Sequence, residues 1–219
     1  MKQSARRRVR IKICGITNPD DAELAILLGA DALGFNTWEG SKRYIDLDKE
    51  AEWLEELPPF VTKVALLVNA SLSAAESISR KPFIDALQLH GDEDATYCSA
   101  VSAMGRPFIK ALRVKSVEDF SHLAEFETRH FLMDAHVQGL FGGTGVRVDL
   151  DLAAEFRRLH PRLALILAGG LKPENVFDAV TKVRPYAVDV SSGVESEPGR
   201  KDPALLHDFI EAVRAAETE

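Results

Sequence analysis

Two side chains in this sequence have types and settings that suit proton transfer. Cys14 closes the short β-branched run Val9–Cys14 and is followed at once by Gly15. Side chains alternate along a strand, so Lys12 and Cys14 share one face. An ammonium one layer below a thiol stabilises the thiolate and lowers a pKa that is about 8.5 when unperturbed. On that reading Cys14 is a usable base near neutral pH. Asp134 closes a second apolar run, His130-Phe131-Leu132-Met133-Asp134. A carboxyl there is costly to bury unless it is paired or functional. It acts as an acid if desolvation or a neighbouring anion keeps it protonated; otherwise it caps the loop that follows. Asp189, in Val188-Asp189-Val190, is a further inward candidate, suited to orienting hydroxyls.

Other polar groups sit where they could hold a ligand. Gln88 and His90 share a face in Gln88-Leu89-His90-Gly91. The histidine either donates to substrate or plugs the space it faces. Arg43, in Gly40-Ser41-Lys42-Arg43-Tyr44, suits bidentate carboxylate binding, although an arginine in a loop is more often a solvated charge. Gly169-Gly170-Leu171 leads into a helix opened by Lys172-Pro173, and Ser191-Ser192-Gly193-Val194 forms a second small-residue turn. Such turns let backbone N–H groups converge on an anion, so Gly169, Gly170, Ser192 and Gly193 are phosphate candidates. A third turn, Gly142-Gly143-Thr144-Gly145, either adds donors or forms a flap. The six histidines are scattered, and no H-x-x-x-H or C-x-x-C spacing occurs. Neither a metal nor a cofactor is expected, and a base, an acid and a phosphorylated ligand together suggest isomerisation.

The elements that must position these groups follow from periodicity. Strands are expected at Val9–Cys14, Asp31–Asn36, Val61–Val68, Ala86–His90, Phe108–Arg113, His130–Asp134, Leu163–Ala168 and Ala187–Ser191. Helices are expected between them, at Pro19–Leu28, Leu47–Leu57, Leu72–Ser79, Ala95–Met104, Val117–Phe126, Asp149–Leu159 and Pro173–Val183, with a closing helix at Pro203–Ala215. Eight strand–helix units at a spacing of about 25 residues fit a single (β/α)₈ barrel. The rival is an open doubly wound sheet, whose Gly-x-Gly-x-x-Gly turn is missing after the first strand. In a barrel, chemistry belongs at the C-terminal strand ends. Cys14, His90, Arg113, Asp134, Gly169-Gly170 and Ser191-Ser192-Gly193 all fall there.

Composition narrows the partners. The 219 residues carry a net charge of −7, which gives no support to a nucleic-acid or anionic-membrane binder. Two cysteines exclude a disulfide framework and suggest a reducing compartment. Cys98 lies on a helical stretch and reads as packing. No apolar run reaches the roughly 18 residues needed to span a bilayer. Residues 1–8 read as a basic arm with no apolar signal core after it, so a cytoplasmic location is expected. Monomer and homodimer both remain open.

Seven segments carry a family resemblance. They are Lys12-Ile13-Cys14-Gly15-Ile16-Thr17, Gly29-Ala30-Asp31-Ala32-Leu33-Gly34-Phe35, Ser41-Lys42-Arg43-Tyr44-Ile45, Gln88-Leu89-His90-Gly91, Gly142-Gly143-Thr144-Gly145, the run from Leu167 to Val176, and the run from Val188 to Glu195. In this order, spread along nearly the whole chain, they resemble phosphoribosylanthranilate isomerase of tryptophan biosynthesis. The resemblance implies a (β/α)₈ barrel that converts N-(5′-phosphoribosyl)anthranilate to 1-(2-carboxyphenylamino)-1-deoxyribulose 5-phosphate by an Amadori rearrangement. It implies Cys14 as general base, Asp134 as general acid, Arg43 on the anthranilate carboxylate, and the phosphate on the backbone of Gly170, Ser192 and Gly193. Two segments depart from the pattern. Asn36-Thr37-Trp38-Glu39-Gly40 lacks a Pro-Lys pair, and Val146-Arg147-Val148-Asp149-Leu150 stands where relatives often have Lys-Thr-Phe-Asp-Trp. The alternatives are a metal-dependent phosphosugar epimerase on the same scaffold, and a non-catalytic binder of phosphorylated ligands. The first needs convergent histidines that are absent, and the pairing of Cys14 with Asp134 argues against the second.

Overall fold

Eight parallel strands close on themselves in the order in which they occur along the chain. They are β1 (Arg10–Cys14), β2 (Ala32–Asn36), β3 (Thr62–Leu67), β4 (Ala86–Leu89), β5 (Phe108–Leu112), β6 (His130–Met133), β7 (Ala164–Leu167) and β8 (Ala187–Val190). The computed structural model describes residues 8–134 and 148–218. Closure is made by β8 pairing with β1, with Lys12 opposite Asp189. The open-sheet alternative is thereby excluded. The expected arm, apart from Arg8, and the Gly142–Gly145 turn lie outside the described residues.

The helices are α1 (Pro19–Leu28), α2 (Ala51–Glu56), α3 (Leu72–Ser79), α4 (Ala95–Ser102), α5 (Leu150–Leu159), α6 (Pro173–Val183) and α7 (Pro203–Ala216). Their starts are written locally. Asn18 accepts from the Asp21 N–H at 2.9 Å ahead of Pro19, and Asp149 and Asp202 cap α5 and α7 in the same manner. Gly29 ends α1 at a φ of 102°, a conformation that favours glycine. Two helices differ from expectation. The stretch Val117–Phe126 forms two 3₁₀ turns, Val117–Phe120 and Leu123–Phe126. Between them the Ser121 hydroxyl donates to the Glu118 carbonyl at 2.8 Å, competing with the next helical bond. The second helix begins at Ala51 rather than Leu47, because the Asp46 carboxylate takes the Asp48 and Lys49 N–H groups into a turn.

The strand alternation divides the core. Ile11, Ile13, Leu33, Phe35, Leu87, Leu89, Phe131, Met133, Leu165, Leu167, Val188 and Val190 belong to the large apolar layer between sheet and helices. The opposite face supplies a smaller inner cluster of Ala111, Leu132, Ile166, Ala168 and Ala187, with Ile109 against it. Lys12, Cys14, Gln88, His90, Asp134 and Asp189 share that inner parity. The barrel therefore turns its polar residues toward its own axis, and those at the C-terminal strand ends reach its mouth.

Candidate active site

At the end of β1 the expected lysine and thiol are neighbours, and glycine makes the room. A Cβ built on Gly34 of β2 would come within 2.8 Å of Cys14 Sγ and 2.9 Å of Lys12 Nζ. Lys12 is buried, and its ammonium donates to Asp189 Oδ1 at 2.7 Å. Burial alone would lower the lysine pKa. Asp189 and the thiol outweigh that and hold it above the ordinary range, so Lys12 is charged. The thiol does not follow expectation. Burial pushes Cys14 above the ordinary thiol range, against the pull of Lys12, and the Asp189 carboxylate adds to the rise. Burial is the first reason, and the strand pairing adds to it: β8 sets an anion directly on the cation meant to stabilise the thiolate. In the free site Cys14 is predominantly a thiol, and the low-pKa reading is corrected.

Across the barrel, β4 and β6 bring the other candidates together. His90 follows β4 directly, and its Nε2 lies 3.3 Å from Asp134 Oδ2. On the other side of the ring, Gln88 Nε2 lies 2.8 Å from His90 Nδ1. Asp134 follows β6 directly, its N–H reaching the Leu112 carbonyl, and its side chain is 13% exposed. That exposure leaves the carboxyl open to the barrel mouth while most of its surface is covered. Arg113, past β5, donates to the His90 carbonyl at 3.1 Å and to Asp92 at 2.9 Å, which steadies the backbone carrying the ring.

Arg43 is not a solvated charge. Its Nε and Nη2 hold the Glu195 carboxylate at 2.8 and 2.7 Å, a bidentate pair. Gly15 makes this possible: a Cβ there would stand 2.5 Å from Arg43 Cδ, and its φ is +75°. Glu195 begins a small hairpin of β9 (Glu195–Glu197) and β10 (Arg200–Lys201), two strands the sequence reading did not anticipate. The hairpin delivers Lys201, whose side chain is 0% exposed. Its ammonium donates to the Cys14 carbonyl at 2.7 Å and to Glu195 Oε1 at 2.9 Å. Burial lowers the Lys201 pKa, and Glu195 opposes that shift. Burial alone would raise the Glu195 carboxyl, but Arg43 and Lys201 hold it below the ordinary range. Glu195 and Lys201 were missed because they look like turn residues in a polar stretch. The one available signal was the cost of placing several charges so near a predicted strand end.

Replacing Lys201 by methionine leaves Glu195 with one partner instead of two and frees the Cys14 carbonyl. Breaking a buried pair in this way costs about 3 kcal/mol. Lys201→Met is therefore expected to unfold at markedly lower urea, and an unchanged midpoint would contradict this account of the hairpin.

The small-residue turns occupy the ends of β7 and β8. Gly169 and Gly170 have φ values of 84° and 64°. Asn175 of α6 accepts the Lys172 N–H at 2.8 Å and donates to the Gly170 carbonyl at 2.9 Å, so the turn is held from both sides. A Cβ on Gly193 would sit 1.9 Å from the Leu171 carbonyl oxygen, which makes glycine obligatory and brings the two turns against each other. Among the described residues, no group of three or more His, Cys, Asp or Glu side chains could hold a metal ion. No helix among them is long and apolar enough to cross a membrane.

Comparison with known proteins agrees with this fold. The family model for N-(5′-phosphoribosyl)anthranilate isomerase matches residues 11–212. The N-(5′-phosphoribosyl)anthranilate isomerase of Citrifermentans bemidjiense is 47% identical over 201 residues, covering 92% of this chain and 95% of that protein. The one from Geotalea uraniireducens is 44% identical over 205 residues, covering 94% and 98%. Among solved structures, phosphoribosyl anthranilate isomerase from Thermotoga maritima superposes with a TM-score of 0.84 at 37% identity, covering 94% of this chain and 99% of that one. A phosphoribosyl anthranilate isomerase in complex with reduced 1-(o-carboxyphenylamino)-1-deoxyribulose 5-phosphate gives 0.80 at 35% identity, with the same coverage. With the family model, these relatives and the closed barrel in agreement over nearly the full chain, the protein belongs to the N-(5′-phosphoribosyl)anthranilate isomerase family.

Proposed function

We propose that this single-domain barrel isomerises N-(5′-phosphoribosyl)anthranilate to 1-(2-carboxyphenylamino)-1-deoxyribulose 5-phosphate, a step of tryptophan biosynthesis. The observation that carries the reading is that Cys14 and Asp134 stand at inward-facing C-terminal strand ends of one closed barrel, each backed by buried polar partners. Asp134 gives its proton to the furanose oxygen. The C1′–O bond breaks, and the anilino nitrogen lone pair forms the C=N bond of a Schiff base. The iminium acidifies the C2′ proton, which Cys14 removes as thiolate. The electron pair left behind forms the enol-amine, which becomes the ketone when C1′ takes up a proton and the 2′-hydroxyl gives one up, so that substrate and enzyme each end with the number of protons they began with. Proton transfers of this kind contribute typically about 10²–10⁴ each.

The remaining residues bind. The phosphate lies on the backbone of Gly169, Gly170, Ser192 and Gly193, favoured by the two abutting turns. Glu195 occupies the Nε edge of Arg43, and the end of the guanidinium takes the anthranilate carboxylate. Asp189, bonded to Lys12, has a second oxygen for a ribose hydroxyl. No protein-bound metal or organic cofactor has a part in these steps. The free Cys14 and Cys98 suit a reducing compartment, and we place the enzyme in the cytoplasm.

The direct assay generates the labile substrate in situ and follows the decay of its fluorescence, with metal chelator present. Accelerated decay supports the reading, and decay at the uncatalysed rate overturns it. In the same assay Arg43→Ala should raise KM by about tenfold or more, the value of one lost charge-assisted contact, with kcat much less affected. An unchanged KM would remove Arg43 from the carboxylate site.

A further inference from the structure

Gln88 is 0% exposed, deep among the inward-facing residues of the barrel, where an aliphatic side chain would pack at lower cost. Its Oε1 is buried and has no hydrogen-bond partner among the described residues. The other end of the amide is engaged: Nε2 stands 2.8 Å from His90 Nδ1. An amide nitrogen donates and cannot accept, so Nδ1 is the acceptor in this contact. The neutral ring then carries its one proton on Nε2, and Nε2 faces Asp134 Oδ2 at 3.3 Å. The strand between them, β5, offers the small Ala111 to the barrel interior, so the ring can reach from β4 to β6. The His90 backbone is fixed as well, its N–H on the Leu67 carbonyl and its carbonyl under Arg113.

We infer that Gln88 is a positioning residue for the acid step: it fixes His90 in the Nε2–H tautomer, and that N–H holds the carboxylate Asp134 becomes on releasing its proton. This rests on the reading of Asp134 as the general acid. His90 gives up no proton in the cycle. The proton leaving Asp134 goes to the substrate oxygen, and the N–H of His90 shortens onto the negative oxygen left behind. A hydrogen bond that strengthens as charge develops is the kind that lowers a barrier. The unpartnered Oε1 fits the same logic, since a donor at this buried point is kept at the expense of an unsatisfied acceptor.

The test uses the full chain with ¹⁵N-labelled histidine, the His90 ring being assigned by its loss in His90→Gln. The expected spectrum has an unprotonated Nδ1 and a protonated Nε2. Gln88→Glu replaces the donor by an acceptor of the same shape, and should place a proton on Nδ1. Gln88→Met removes the donor at similar volume and should mix the tautomers. Both variants should lower kcat by about tenfold to a hundredfold, the value of a hydrogen bond to a charged group, and leave KM nearly unchanged. A wild-type ring protonated on Nδ1 overturns the inference, and this reading of the spectrum stands even if a variant fails to fold. Folded Gln88 variants with wild-type kcat overturn it too. Should Asp134→Asn prove inactive while the spectrum shows Nδ1–H, only this inference falls. Should Asp134→Asn be fully active, the acid assignment falls and takes the inference with it.

Discussion

Cys14→Ser is expected to reduce kcat by about 10²–10⁴ while leaving the barrel folded. A hydroxyl nearly matches the thiol in shape, so Lys12 and Gly34 keep their packing, but it is a far weaker acid and supplies no anion to take the C2′ proton. The raised thiol pKa sharpens the expectation. If the thiolate of the free enzyme is the active form, kcat/KM climbs with pH through neutrality and levels off only above the ordinary thiol range. The sign is fixed: a raised pKa moves the rising limb to higher pH, whereas a thiol activated by Lys12 alone would move it below. A folded Cys14→Ser variant with near-native turnover would remove the residue from the mechanism. A rising limb below the ordinary thiol range would show that burial and Asp189 together do not outweigh Lys12 in solution.

Asp134→Asn should be equally damaging, by about 10²–10⁴ in kcat, for the opposite proton. The amide can still accept from His90 Nε2, so the local structure survives, yet it has no proton to release to the furanose oxygen. Circular dichroism and urea midpoint close to wild type, with turnover lost, are the expected pair of results. Retained turnover would assign the acid step elsewhere, with Asp134 a loop residue only. The two variants need not be additive when combined, because both residues serve one sequence of proton transfers and removing either stalls it.

Much of this site was legible in the sequence because a strand has a period of two. Lys12 with Cys14, and Gln88 with His90, follow from counting along a strand, and the barrel then dictates which end matters. What could not be read depends on which strands become neighbours. The Cys14 shift comes first from burial, and Asp189 adds to it; that residue is 175 positions after Cys14 in the chain and reaches Lys12 only because β8 closes against β1. The partnership of Arg43 with Glu195 is of the same kind, as is the burial of Lys201. Charged residues in a short polar hairpin carry no periodic signal, and only the folded hairpin turns them inward. The expected helix over Val117–Phe126 failed for a local reason instead. Its apolar spacing is helical, but Ser121 diverts a backbone carbonyl and breaks the run into two turns.

The account stands most directly on where one ligand places its atoms. A crystal structure of this protein with reduced 1-(o-carboxyphenylamino)-1-deoxyribulose 5-phosphate would settle it. The prediction is Cys14 Sγ facing the carbon that loses its proton, the Asp134 carboxyl within about 3.2 Å of the oxygen that left the ring, and the phosphate on the turns after β7 and β8. A ligand bound with Cys14 and Asp134 on the same side of it, or with either group out of reach, would contradict the mechanism.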